Sequence, residues 1–325
     1  MNPPLSLDIA ICTYNNAPTL DRALEAIEAQ SVSPELSWAV VVVDNNCTDD
    51  TAAVVDRYMQ RGHIPGLRRV VESQQGLAHA RRRAVMETEA ELIGFVDDDC
   101  LLSSAWVQQA VDFCRAHPAA GVVGSQVSLV WEVPPEPVLL EHAMCYAQQE
   151  YGDQPLSWPH ERMPQLVGAG LVVKREALLA SGWLEQTLLV DRRGKALSGG
   201  GDIEIGWRIL HAGYELWYNP AMGLDHWIAR HRSTESYLRK LCRGSAQAWP
   251  VIKMLQEKAT PSLGWRIRLC GRSVWRLLEV SIEDIIPHLL GYRPASDAER
   301  IRWLGYFGRV GAAFRFLLDS RSLPM

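Results

Sequence analysis

Leu92-Ile93-Gly94-Phe95-Val96-Asp97-Asp98-Asp99-Cys100 decides how this chain is read. A short apolar run ends abruptly in three adjacent carboxylates. A run of this length bounded by polar residues suits a buried strand. Three Asp side by side repel one another and continue neither a strand nor a helix well. A hard divalent cation relieves the repulsion, because Mg²⁺ and Mn²⁺ prefer oxygen ligands. A solvated acidic turn would account for the same three residues in isolation.

Working outward, the first hundred residues alternate between two periodicities. Residues 7–12, 38–43 and 67–71 are apolar and rich in β-branched side chains, as buried parallel strands are. Between them, residues 19–30, 50–61 and 76–88 carry helical spacing, clearest in Leu20, Ala23, Leu24 and Ile27. Repeated βα units imply an α/β fold with an open, mostly parallel sheet flanked by helices. Ligands in such folds bind beyond the carboxyl ends of the strands. The polar clusters Thr13-Tyr14-Asn15, Asp44-Asn45-Asn46 and Asp97-Asp98-Asp99 all fall there. The pattern then predicts a helix over 105–116, strands over 121–130 and 166–174, and a Pro-rich, aromatic lid or loop over 134–164. A helix over 203–212 follows Gly199-Gly200-Gly201, and a last strand over 215–218 is ended by Asn219-Pro220.

Composition removes several function classes. The chain has 325 residues, of which 47% are hydrophobic and 22% charged, as in globular proteins. Its net charge of −5 argues against general nucleic-acid binding. No apolar span is long enough for a transmembrane helix. Met1-Asn2-Pro3-Pro4 does not begin a secretory signal, so a cytoplasmic location is expected. The seven cysteines contain no CxxC, which indicates neither a disulfide framework nor a zinc site. No GxGxxG or GxxxxGK[ST] follows the first strand, which speaks against dinucleotide and P-loop chemistry. Residues 255–325 hold eleven Lys and Arg against seven Asp and Glu, while the rest of the chain is acidic. That shift divides the chain into residues 1–254, with halves near 1–130 and 131–254, and a helical extension over 255–325.

Six stretches in order resemble the family 2 glycosyltransferases, inverting enzymes of the GT-A fold. They are Ile-Cys-Thr-Tyr-Asn-Asn (11–16), Val-Val-Asp-Asn-Asn-Cys-Thr-Asp-Asp-Thr (42–51), Gln-Gly-Leu-Ala-His-Ala-Arg (75–81), Phe-Val-Asp-Asp-Asp (95–99), Gly-Ala-Gly-Leu-Val-Val-Lys-Arg-Glu-Ala-Leu (168–178) and Gly-Gly-Asp-Ile-Glu (200–204). The resemblance covers about three quarters of the chain.

The resemblance implies a nucleotide pocket at the first strand ends. Thr13, Tyr14 and Asn15 line it, with the Tyr14 ring on the base, and Asp44 accepts the uracil N3–H. A turn and helix start is the other reading of Asp44-Asn45-Asn46. Arg81 reaches the nucleotide or its phosphates, for which a guanidinium offers a planar fork of donors. Asp98 contacts the ribose, Asp97 lies nearby and Asp99 ligates Mg²⁺ or Mn²⁺, with His226 as a further metal ligand. The general base on the acceptor hydroxyl is Asp202. Its rival Glu204 is also placed to pair with Arg208 at i,i+4. Gly201 stands where the family commonly has an acid. Gly168, Ala169, Trp183, Gly201 and Glu204 fall beside the sugars, and Arg230 or Arg232 clamps phosphate.

The implied function is metal-dependent, inverting transfer of a sugar from a nucleotide-diphosphate donor, a UDP-sugar by preference, to a glycan, lipid-linked glycan or protein hydroxyl. A non-catalytic nucleotide-sugar or glycan-binding module on the same scaffold is the rival, and the missing acid at Gly201 is its support. Trp265, Trp275 and Trp303 among basic residues suit a peripheral contact through 265–316 at the inner face of the cytoplasmic membrane. Packing on the catalytic domain or on a second subunit explains them equally, so a homo-oligomer stays open.

Overall fold

The computed structural model describes residues 5–159, 163–194, 196–289 and 296–318. The Met1-Asn2-Pro3-Pro4 terminus lies outside the described residues. Along the chain the elements run β1 (Leu7–Thr13), α1 (Ala17–Glu28), β2 (Trp38–Asp44), α2 (Thr51–Arg61), β3 (Arg68–Val71), α3 (Leu77–Met86), β4 (Leu92–Asp97), β5 (Cys100–Leu102), α4 (Trp106–Ala116) and β6 (Ala120–Trp131). They continue with α5 (Pro137–Glu141), β7 (Leu156–Ser157), β8 (Leu171–Lys174), α6 (Arg175–Ala180), α7 (Gly201–His211) and β9 (Glu215–Ile228). Among the described residues the α-helices that follow are α8 (Glu235–Ser245), α9 (Trp249–Gln256), α10 (Leu263–Val280), α11 (Ile286–Leu289) and α12 (Asp297–Leu318).

Two compact units emerge. The first comprises Met1–Val130, Ala147–Thr187 and Gly201–Ile228. Its sheet has the order β3-β2-β1-β4-β8-β6-β9-β5, with β7 on β9. Strands β3, β2, β1 and β4 are parallel. Strand β8 pairs antiparallel with β4 and β6, and β9 antiparallel with β5 and β7. The β2 residues Val40, Val41, Val42 and Val43 are buried, as expected of a strand covered on both faces. Helix α1 buries Leu20, Ala23, Leu24 and Ile27, the stripe visible in the sequence. Leu20, Leu24 and Ile27 share one core with β1, α2 and α4.

The second unit comprises Trp131–Tyr146, Leu188–Gly200 and Ala229–Met325. The charge shift at 254/255 therefore falls within this unit, inside α9. Thr234 and Ser262 cap α8 and α10, each accepting from a backbone N–H three residues on. Helices α10 and α12 bury Trp265, Leu269, Cys270, Ala313 and Phe316 together, with Trp265 edge-on to Phe316 at 6.2 Å. Among the described residues no helix is long and apolar enough to cross a membrane.

Three expectations need correction. Asn219-Pro220 does not end the last strand, because β9 runs on to Ile228. Pro220 sits between the residues paired with β7 and those paired with β5, where its missing N–H is tolerated, and Asn219 Oδ1 accepts from Ala221 N. The strand expected over 166–174 is confined to β8, since Gly170 turns at φ +70°. The segment 134–164 contains α5 and β7 rather than only irregular chain.

Candidate active site

The site grows from the β1–β4 step of the first unit. Strand β1 has β2 on one side and β4 on the other, so the chain changes direction there and leaves a crevice beyond the strand ends. Asp98 closes that step. Thr13 Oγ1 donates to its Oδ2 at 2.6 Å and Asn16 Nδ2 to its Oδ1 at 2.7 Å. Asn16 occupies the N-cap of α1 and makes no side-chain cap bond; its amide nitrogen donates to Asp98. Burial, then the neighbouring Asp99 charge, pushes the Asp98 carboxyl up to about 7, against the pull of these two hydrogen bonds.

Asp99 faces another way. Its Oδ1 lies 3.3 Å from His226 Nε2, both side chains being buried. The antiparallel β5–β9 register sets Cys100 opposite His226, and Trp227 N donates to Asp99 O at 2.8 Å. The extension of β9 past Pro220 delivers His226 to this place. Asp97, at the end of β4, is partly exposed, and its Oδ1 is 3.9 Å from Arg81 Nη2.

Donor atoms of Asp97, Asp99 and Cys100 lie within 4.8 Å of one another. Burial and the adjacent carboxylates hold the Cys100 thiol well above its usual range, so it stays protonated and is a poor ligand. The usable donors are carboxylate oxygens, with an imidazole against one of them. Such a set fits Mg²⁺ or Mn²⁺ better than a soft metal.

Arg81, on α3, is buried against Phe95, 5.5 Å from ring centroid to guanidinium carbon. A Cβ on Gly168 would meet the Arg81 guanidinium, so a larger residue there would have to displace that side chain. Gly168 N donates to Asp202 Oδ2 at 3.0 Å, and Ile203 N to Asp202 Oδ1 at 2.9 Å. Asp202 is thereby held in the first turn of α7, half-buried, with Gly201 beneath it at the helix start and Ala169 buried beside Gly168.

Asp44 is buried at the end of β2. Its Oδ1 accepts from Cys47 N and its Oδ2 from Arg69 Nη1, at 2.8 and 3.0 Å. Each oxygen keeps acceptor capacity beyond these bonds. Arg69 was missed in the sequence. It is a diagonal neighbour in the β2–β3 ladder, where Asp44 pairs with Val71. Asn45 ties the turn down, donating to Glu72 O and Gln74 O and accepting from Gly76 N. Asn15 takes φ +50° and accepts from Thr48 N, which leaves Tyr14 42% exposed.

Glu204 and Trp183 are placed otherwise than expected. Glu204 is fully buried and bonded to Arg208 Nε at 2.8 Å, the i,i+4 pairing foreseen as its alternative. Trp183 is 1% exposed, so it offers no face for stacking a sugar. Arg230 and Arg232 belong to the helical unit, where Arg230 N donates to Glu132 and the Arg232 guanidinium lies 5.7 Å from the Tyr237 ring.

This architecture is the GT-A fold. The glycosyl transferase family 2 model matches residues 8–177, just over half of the chain, and the chain belongs to that family. Among its relatives, the succinoglycan biosynthesis protein ExoM of Rhizobium meliloti is 27% identical over 124 residues, covering 38% of this chain and 39% of ExoM. The poly(ribitol-phosphate) β-N-acetylglucosaminyltransferase TarS of Staphylococcus aureus is 26% identical over 151 residues, 44% of this chain and 26% of TarS. The matched part thus spans two fifths or less of these relatives. The mannosyltransferase PcManGT of Pyrobaculum calidifontis, solved with GDP-Man and Mn²⁺, superposes over 98% of this chain and 89% of its own, with a TM-score of 0.61 at 19% identity. TarS residues 1–349 with UDP superpose over 96% and 91%, with a TM-score of 0.53 at 14% identity.

Proposed function

We propose that this chain moves a sugar, with inversion, from a nucleotide-diphosphate donor to a hydroxyl of a glycan, lipid-linked glycan or protein. The observation that carries the reading is the divided use of three consecutive Asp at the β1–β4 step. Asp98 is bonded to Thr13 and Asn16 at the nucleotide side, while Asp97 and Asp99 leave their oxygens grouped. Asp97 and Asp99 held this way repel one another unless a cation joins them.

Asp99 and Asp97 would hold Mg²⁺ or Mn²⁺, with His226 against Asp99. Bound there, the cation would supply charge neutralisation for a departing nucleoside diphosphate. PcManGT, of the same fold, was solved with Mn²⁺ and GDP-Man. Thr13, Tyr14 and Asn15 would line the base pocket, and the remaining acceptor capacity of Asp44 suits a ring N–H, which favours UDP. Arg81 lies beside Asp97, on the phosphate side. Asp202 is the general base: it takes the acceptor proton as the acceptor oxygen attacks the anomeric carbon and the bond to the diphosphate oxygen breaks. One such base suffices, unlike the carboxylate pair of a glycosidase. Gly168 and Ala169 let backbone approach the donor sugar. ExoM is named for succinoglycan biosynthesis and TarS for transfer to poly(ribitol-phosphate), which agrees with a polymeric acceptor.

Calorimetric titration with UDP, GDP and CDP, each with and without Mn²⁺, tests the proposal. Metal-dependent binding of one nucleotide is expected. Binding of none would leave a scaffold without donor chemistry, and the non-catalytic reading would replace this one.

A further inference from the structure

The helical unit contains a cavity of about 300 Å³ lined from α9, α10 and α12. That volume is enough for a small ligand. Its lining is basic and aromatic. Lys253, Arg272, Arg276 and Arg309 share it with Trp249 and Tyr306, and Glu257 is the acid among them.

Two of these cations are already neutralised. Arg272 pairs with Glu257 at 3.0 Å and Arg276 with Glu279 at 2.7 Å. The other two are not, since among the described residues neither Lys253 nor Arg309 has a carboxylate within ion-pair range. They flank the Trp249 indole instead, at 4.6 and 4.5 Å from its ring, and Arg309 also lies 4.7 Å from the Tyr306 ring. Aromatic faces attract a cation but do not cancel its charge. Burial lowers both side chains from their usual basicity; for Lys253 the nearby Glu257 charge opposes this and the charges of Arg272 and Arg309 add to it. A second feature is independent of charge. Ser273 is 7% exposed and lines the cavity, yet its Oγ has no hydrogen-bond partner, and neither does the buried Trp249 Nε1. Buried donors of this kind are costly unless a ligand or water satisfies them.

We infer that this cavity is a binding site for a phosphoryl group, held by Lys253 and Arg309 with Ser273 Oγ and Trp249 Nε1 as further donors. A tetrahedral oxyanion accepts from four directions and supplies the missing negative charge. The phosphoryl could belong to a soluble molecule or to a lipid headgroup. The helix geometry favours the soluble source. At 100° per residue, Leu269, Arg272, Ser273 and Arg276 share the cavity face of α10, whereas the exposed Leu263, Ile267, Trp275 and Leu278 lie on the opposite face. A bilayer touching that apolar face would have the cavity on the far side of the helix. The inference does not depend on glycosyl transfer.

The test is titration of the full chain with inorganic pyrophosphate in EDTA, alongside co-sedimentation with phosphatidic acid vesicles and phosphatidylcholine controls. Pyrophosphate should bind the native chain and Asp99→Asn equally, weaken about tenfold in Lys253→Gln and weaken measurably in Ser273→Ala. Arg309→Gln should abolish binding, but Arg309 packs on two rings, so Lys253→Gln and Ser273→Ala, checked by circular dichroism, carry the result if it misfolds. Binding to phosphatidic acid alone, lost in Lys253→Gln, would give the same site to a headgroup. Absence of both, or pyrophosphate binding that ignores Lys253 and Ser273 and vanishes in Asp99→Asn, overturns the inference.

Discussion

Asp99 and His226 stand 127 positions apart in the chain, yet their side chains meet at 3.3 Å because the β5–β9 ladder pairs Cys100 with His226. The contact joins an acidic turn to a strand that continues past its own Asn219-Pro220.

Its consequence is measurable in metal binding. Asp99→Asn should remove Mn²⁺ binding, while His226→Ala should weaken it about 10- to 100-fold, the range for groups supporting or completing a metal site. Calorimetric titration with Mn²⁺ reads both. Equal, native-like affinity in the two variants would detach this pair from any metal.

Asp202→Asn keeps an oxygen for Gly168 N and so should preserve the fold and nucleotide binding. Loss of its base should lower transfer about 10²- to 10⁴-fold. Single-turnover release of nucleoside diphosphate, set beside a nucleotide titration, separates the two effects. Full turnover in the variant would move the base elsewhere.

Glu204→Gln makes the opposite prediction. Its buried bond to Arg208 is structural, and breaking such a pair costs about 3 kcal/mol. Thermal unfolding should show the loss, while turnover per folded molecule stays within a few-fold. A collapse of turnover at native stability would restore Glu204 as the competing base.

Asp98 sets a pH dependence. Its folded pKa is raised to about 7, well above that of a free Asp near 3.9. The folded chain therefore holds a proton that the unfolded chain releases across this window. Stability of the metal-free protein should fall as pH rises from about 4 to 7 relative to Asp98→Asn, since there the native state binds more protons. Mn²⁺ should flatten the slope by favouring the ionised form. Melting temperature against pH, with and without Mn²⁺, checks the sign.

Much of the first unit was legible because its signals are local. The Val run of β2, the stripe of α1 and the apolar segment before Asp97 each announce burial through their own spacing. The acidic turn was legible too, because adjacent like charges need a reason. Less was legible after residue 130. There, short pairings such as β5 and β7 depend on distant partners, and Pro220 misled because its effect depends on whether a ladder bond is required at that point.

The βα alternation, the polar strand ends and the acidic cluster follow from local spacing and residue type. Tertiary structure alone decided which carboxylate serves which partner. Asp98 turns to Thr13 and Asn16, Asp99 to His226, and Asp44 to Arg69, each through the register of strands distant in sequence. It also buried Trp183 and Glu204, whose residue types fit a sugar site as well as a core. The reason is physical: spacing along the chain reports which face of an element is buried, but a side-chain contact exists only once two elements are paired in register.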